Sequence, residues 1–224
     1  MLRTQLAFLA FRPIQISPQQ DFWRWLIFVM IVTWLAGVGR YWDHPAAELW
    51  QHIGIGSLAY IFCLSVLLYL VVRPLRPSNW TFQGVLIFVG LTSLPALLYA
   101  IPVERVIDLK AAQSINAWFL GIVAIWRVAL LFRYVIASAK LHWFLAITVS
   151  VLLLSGIVVA LTLLNLEHVA FDIMAGIRAD DASPNDAAYL VVFGLALSSL
   201  WAFPVALILY LAAVVHRQRS SNST

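Results

Sequence analysis

Charge is scarce in this chain: Asp, Glu, Lys and Arg make up 11% of its 224 residues, against 63% hydrophobic. With a mean hydropathy of +0.92, that composition excludes a water-soluble globular domain and indicates a membrane protein. Cysteine is nearly absent. The single copy, Cys63, lies inside an apolar run, which excludes disulfides and thiolate metal sites and predicts a buried packing residue. Asp and Glu are missing from every apolar run. Ion-coupled transporters and channels need buried carboxylates, so that absence counts against them. Long polar segments are missing too, and no gap could hold a soluble domain. One transmembrane domain is therefore expected over 21–216, between a cytoplasmic N-terminal segment 1–20 and a cytoplasmic tail 217–224.

What the chain does contain is six apolar runs. A bilayer core needs about 20 mostly apolar residues per helix. Spans are predicted at Phe22–Val38, Ile53–Val72, Phe82–Ile101, Ala117–Ile136, Phe144–Leu164 and Tyr189–Val215, giving an all-α polytopic bundle. The last run is long enough to tilt or to leave the membrane as helix. The breaks at Arg40–Gln51, Arg73–Asn79, Glu104–Ser114, Ala137–His142 and Glu167–Asp186 each carry Pro, Asp, Asn or a charge, as a chain returning to water requires.

Charges sort by side. The N-terminus, the second and fourth breaks and the C-terminus hold Arg3, Arg12, Arg24, Arg73, Arg76, Arg133, Lys140, Arg217 and Arg219, with Asp21 the one acid. The other three breaks hold Arg40, Arg105, Lys110 and Arg178 with the remaining acids. The positive-inside rule then puts both termini in the cytoplasm. Contact with anionic lipid on that side is expected, and a bacterial inner membrane is the expected location. Nucleic-acid binding would want a basic face with interleaved aromatics in water, and none is present. Trp23, Trp25, Tyr41, Trp42, Trp50, Trp80, Trp118 and Trp143 fall near span ends, at headgroup level, whereas Trp34, Trp126 and Trp201 lie deeper and read as packing residues.

Met1–Phe11 has a short apolar run, then Arg12-Pro13, with no small-residue cleavage site, so it does not read as a cleaved signal. Leu2, Leu6 and Leu9 at helical spacing, opposite Arg3, Thr4 and Gln5, suggest a helix in the cytoplasmic interface; a frayed terminus is the alternative.

Candidate chemistry is concentrated in few places. In Asp43-His44-Pro45-Ala46-Ala47-Glu48-Leu49-Trp50-Gln51-His52, steps of four could align His44, Glu48 and His52 as metal ligands. Pro45 makes His44 a cap or pre-cap residue and leaves Glu48 and His52 as a helical pair. Further ligands would have to come from Glu104, Asp108, Glu167, His168 or Asp172 on the same side. No H-e-x-x-H pattern is present, so no metal and no cofactor are expected, with Glu48, His52 and His168 the residues to examine. The histidines sit at span ends, which disfavours haem. Gly54-Ile55-Gly56-Ser57 superficially resembles an intramembrane serine nucleophile, but it is not the usual G-x-S-G arrangement, and small residues at a span start are far more often close-packing positions.

Arg127 stands inside the fourth run, where a charge costs on the order of 2.5–3.5 kcal/mol. It can snorkel toward the cytoplasmic headgroups, or bond the third run at Leu91-Thr92-Ser93-Leu94-Pro95, where the proline frees a carbonyl. Alternatively Arg127, with Glu104 and Arg105, binds a ligand or lipid head. Pro95 and Pro204 are the expected helix kinks.

The segment Arg12-Pro13-Ile14, the third run with Val85–Gly90 and Pro95-Ala96-Leu97-Leu98, and the fourth with Ile125-Trp126-Arg127-Val128-Ala129-Leu130-Leu131 resemble the Yip family (Ypt/Rab-interacting membrane proteins) and its uncharacterised bacterial relatives. The resemblance covers about the first 165 residues. It departs at the sixth run, at the acidic stretch before it, and in the missing long N-terminal region that engages a GTPase. It implies a non-catalytic, membrane-organising protein.

The leading expectation is thus a non-enzymatic scaffold or assembly protein, whose partners are lipid and other membrane proteins or itself. The alternatives are a membrane enzyme or binding protein with an external mouth of Glu48, His52, Glu104 and His168, and a small-molecule transporter. The two halves show no convincing repeat to favour the transporter.

Overall fold

The computed structural model describes residues 1–12, 18–41, 48–101, 103, 106–164 and 186–222. Among the described residues the architecture is all-α, with no strand. Its helices are α1 (Leu2–Leu9), α2 (Pro18–Tyr41), α3 (Leu49–His52), α4 (Ile55–Val72), α5 (Phe82–Leu91), α6 (Leu109–Ala139), α7 (Trp143–Leu163) and α8 (Asp186–Asn222). Short 3-10 helices cover Arg73–Leu75 and Leu94–Ala100.

Five helices are long and apolar enough to cross a membrane: Asp21–Gly39, Ile55–Leu75, Trp118–Ala139, Trp143–Leu163 and Phe193–Arg219. Each matches a predicted span to within a few residues. The third predicted span does not form one helix. Its α5 stops at Leu91, Thr92 and Ser93 make a turn, and the chain continues as the 3-10 helix Leu94–Ala100. Pro95 explains the break, because it has no N–H and its ring clashes with the preceding turn. At about 1.5 Å per α residue and about 2.0 Å per 3-10 residue, the two pieces together still reach close to the roughly 30 Å of a hydrocarbon core.

Local signals set the helix ends. Thr81 caps α5 by accepting from Gly84 N, and Asp108 caps α6 by accepting from Ala111 N at 3.2 Å. Lys140 ends α6 in the left-handed region, and His142 Nδ1 caps α7 through Phe144 N at 3.4 Å.

Helix α7 packs on α8, α6 and α4; α4 packs on α5 and α2; and α2 also covers α5 and the 3-10 helix Leu94–Ala100. The core joins Ile61, Leu68 and Val72 of α4 to Val85 and Phe88 of α5, Leu130 and Val135 of α6, and Ala146, Val149 and Leu153 of α7. Close approach depends on glycine. A Cβ on Gly37 would lie 2.7 Å from Ser57 Oγ and 2.9 Å from Gly54 O, so the Gly54–Ser57 run is a packing surface between α2 and α4. Gly54 itself has φ +70, a conformation glycine adopts at little cost.

Several side chains depart from expectation. Cys63 faces outward from α4 and does not pack inside. Trp201 is 75% exposed on α8, while Trp25 is buried against Val29, Ile87 and Leu91. Hydropathy alone does not tell which face of an all-apolar helix turns inward. Trp23, Trp50, Trp118 and Trp143 do sit exposed near span ends, as interfacial aromatics would.

Candidate functional site

The proline at position 95 creates a demand for hydrogen-bond donors in the middle of the bundle. In an α-helix its N–H would serve the Leu91 carbonyl, four residues back; in a 3-10 helix it would serve Thr92, three back. The backbone changes register here. Thr92 N is shared between Phe88 O and Val89 O, Ser93 N reaches Gly90 O at 3.1 Å, and Ala96 N reaches Ser93 O at 3.0 Å.

Leu91 O and Thr92 O, one left without the proline's N–H and the other by the change of register, are met by side chains from distant helices. Gln5 Nε2 donates to Leu91 O at 3.0 Å. Arg127 Nε donates to Thr92 O at 3.0 Å. Beside them Thr33 Oγ1 of α2 donates to Ser93 Oγ at 2.8 Å, and Thr92 Oγ1 turns back to Val89 O at 2.7 Å. Trp126 Nε1 donates to Leu9 O at 2.9 Å, tying the end of α1 to the same part of α6. Gln5, Thr33, Thr92 and Ser93 are buried and Arg127 is half-buried. Three helices, α1, α2 and α6, thereby converge on one break.

Two features of this cluster are incomplete. Gln5 Oε1 is enclosed and has no donor. Arg127 has no carboxylate partner among the described residues, where the ion pair is the exposed Arg24–Asp21 at 3.4 Å, and its two Nη groups make no hydrogen bond there. Ser150 Oγ is also buried without a partner, elsewhere on α7.

Of the residues singled out in the sequence, Arg127 reaches the Leu91–Pro95 stretch, at Thr92 O. Pro204 lies inside α8, which continues as helix on both sides of it. Glu48 and His52 do not share a helical face. Glu48 is the extended N-cap of α3 (φ −66, ψ 153), and its N–H donates to Gln51 Oε1 at 2.8 Å. The four-residue helix starts only at Leu49, so Glu48 stays outside it. Among the described residues no three His, Cys, Asp or Glu side chains gather. Asp43, His44, Pro45, Glu104, Arg105, Glu167, His168 and Asp172 lie outside the described residues.

The sequence reading missed Gln5, Thr33 and Trp126. The sequence signal was incomplete: one proline releases one carbonyl, and the second open acceptor arises only because the helix changes to 3-10 register there. No family model, no curated protein and no solved structure matches this chain, so the resemblance to the Yip family rests on its residues alone.

Proposed function

We propose that this membrane protein is a non-enzymatic, polytopic scaffold that packs into or organises a membrane assembly, with both termini on the cytoplasmic side of a bacterial inner membrane. One observation carries the reading. Only 11% of the apolar stretch Phe193–Arg219 of α8 is buried, against 22–39% for the other four long apolar helices. Helix α8 leans on α7 and is pinned near one end by Tyr210 to Val71 O and Arg217 to Leu75 O. The rest of its surface, with Phe193, Gly194, Trp201 and Ile208, faces away from the bundle. A helix packed along one side only offers a long apolar face to a neighbouring membrane helix, and an open glycine lets such a neighbour approach closely. The Yip resemblance points the same way, and the basic end of the bundle suits anionic lipid.

Cysteines placed at Gly194, Trp201 and Ile208 in a Cys63→Ser background test this in native membranes. Cross-linking at one helical face to a second copy or to a specific membrane protein is expected. No cross-linked adduct at any of the three positions, which lie on one helical face, would overturn it. Elemental analysis addresses the enzyme alternative: no stoichiometric transition metal is expected. About one zinc, iron or manganese per chain, lost in a Glu48→Ala, His52→Ala variant, would favour a metal centre instead.

A further inference from the structure

Where α4 stops and α8 runs out, arginines from two elements meet at one corner of the bundle. Arg73 and Arg76 belong to the 3-10 turn that closes α4, and Arg217 and Arg219 to the last turns of α8. Arg217 Nη1 donates to Leu75 O at 2.6 Å, which brings the two groups together. Arg73 lies over the Tyr69 ring at 5.6 Å, and Arg73, Arg76 and Arg219 are all exposed. The described carboxylates are elsewhere. Asp21 pairs with Arg24, Glu48 and Asp108 cap α3 and α6, and Asp186 opens α8 at its opposite end.

Topology alone does not account for this corner. The positive-inside rule asks for basic residues on one side of the membrane, not for like charges held together. Arg76 adopts the left-handed region (φ 50, ψ 55), which glycine takes at lower cost. Its part in the turn is a backbone one, N–H to Arg73 O at 3.0 Å, and needs no charge. A neutral amide could likewise serve Leu75 O, yet Arg217 stands there, half-buried, with one of its five N–H donors spent. The depth suits a lipid head. Trp143, exposed at the start of α7, sits as an interfacial aromatic would, and Leu70 of α4 with Leu211 and Val215 of α8 are exposed apolar side chains just inside the corner.

We infer that this corner is a discrete seat for one anionic phospholipid, whose phosphodiester is held by Arg73, Arg76 and Arg217. The acyl chains lie along the exposed apolar side chains of α4 and α8. The head supplies the counter-charge that the corner lacks among the described residues, and guanidinium groups match its paired oxygens. Arg217 bonds both the head and Leu75 O, so the lipid also braces the end of α8 against α4. The inference rests on the reading that this end of the bundle faces anionic lipid, and narrows a general contact to one site.

The test uses the full chain in detergent, with native mass spectrometry and thermal shift, and three probes: phosphatidylglycerol, phosphatidylcholine and glycerol 3-phosphate. Phosphatidylglycerol should bind near one per chain and raise Tm. Phosphatidylcholine, with no net charge, should bind several-fold more weakly, and glycerol 3-phosphate, with no acyl chains, should leave Tm unchanged. Arg73→Gln and Arg76→Gly should each weaken phosphatidylglycerol roughly fivefold, the change that one basic residue at an anionic surface supports. Arg12→Gln, which removes the same charge from the N-terminal segment, should stay within twofold of wild type. Arg76→Gly separates binding from folding, because glycine relieves the left-handed backbone: its lipid-free Tm should be unchanged or higher while lipid is lost. Equal losses in Arg12→Gln and the corner variants would overturn the discrete seat and leave only diffuse contact with anionic lipid. No preference for phosphatidylglycerol over phosphatidylcholine would overturn both the seat and the reading beneath it. A Tm rise with glycerol 3-phosphate equal to that with the lipid, or full lipid binding in Arg76→Gly, would also overturn the inference.

Discussion

Pro95 organises its surroundings by what it lacks. Pro95 removes one N–H and the change to 3-10 register sends Ala96 N to Ser93 O, so Leu91 O and Thr92 O are served from elsewhere, by Gln5 and Arg127 at 3.0 Å each. Interhelical hydrogen bonds in membranes contribute about 0.6 kcal/mol on average and up to about 1.7. Gln5→Leu should therefore lower stability in detergent by an amount in that range, read by reversible unfolding. Pro95→Ala restores an N–H that can reach Leu91 O in α geometry. The cost of Gln5→Leu should then shrink in the Pro95→Ala background, and a double-mutant cycle would expose this coupling. Strict additivity would mean that the two side chains do not replace the proline's missing donor. Arg127 was legible in the sequence because a charge in an apolar run needs a partner and Pro95 stands within reach on the neighbouring span. Gln5 was not legible. In Leu2–Leu9 the leucines read as the face that seeks apolar surroundings, and periodicity does not say whether those surroundings are the protein interior or lipid.

At the scale of elements, α1 shows how that ambiguity resolves. Leu2 and Leu6 are 54% and 51% exposed, whereas Gln5 is 0% exposed and Phe8 lies edge-on to Phe88 of α5. Leu9 is buried beside Gln5 and Arg3 is exposed beside Leu2 and Leu6, so the leucines do not share one face and the inward side of α1 mixes polar and apolar residues. The broken third segment was half legible: its apolar run and its proline were plain, but the 3-10 continuation depends on side chains of other helices and has no local signal. Helix contacts give sharper tests. A Cβ on Gly90 would meet Val29 Cβ at 2.6 Å and Cγ2 at 2.7 Å, a branched side chain buried between α2 and α5 with little room to move. Gly90→Ala should destabilise by about 1–3 kcal/mol, the usual range for overpacking. Gly121 on α6 meets nothing within 4 Å. Gly121→Ala should be neutral or slightly stabilising, by up to about 1 kcal/mol from helix propensity. Thermal unfolding of the two variants side by side checks the pair, and equal losses would contradict the packing of α2 on α5.

For the whole molecule, connectivity gathers the basic breaks at one end. Arg217 Nη1 donates to Leu75 O at 2.6 Å, Tyr210 donates to Val71 O at 2.8 Å, and Trp80 lies against Tyr134. At the far end, Trp34 Nε1 donates to Ile53 O at 2.9 Å, joining the second half of α2 to the start of α4. The Arg73–Arg76 turn, Arg133 to Lys140 and Arg217 to Arg219 thus share one end, the arrangement that charge sorting along the sequence anticipated. The helical bundle could be read from hydropathy because lipid leaves helices as the economical way to satisfy the backbone. Which helix would leave most of its surface uncovered could not, since α4, α7 and α8 are all apolar around their circumference. The most direct measurement is a set of topology reporters fused after Arg76, Lys110, Lys140 and Asp186. They should report in, out, in, out, with the first pair showing that the broken segment Phe82–Ala100 crosses the membrane. The same side reported after both Arg76 and Lys110 would contradict a six-crossing bundle built around the Pro95 break.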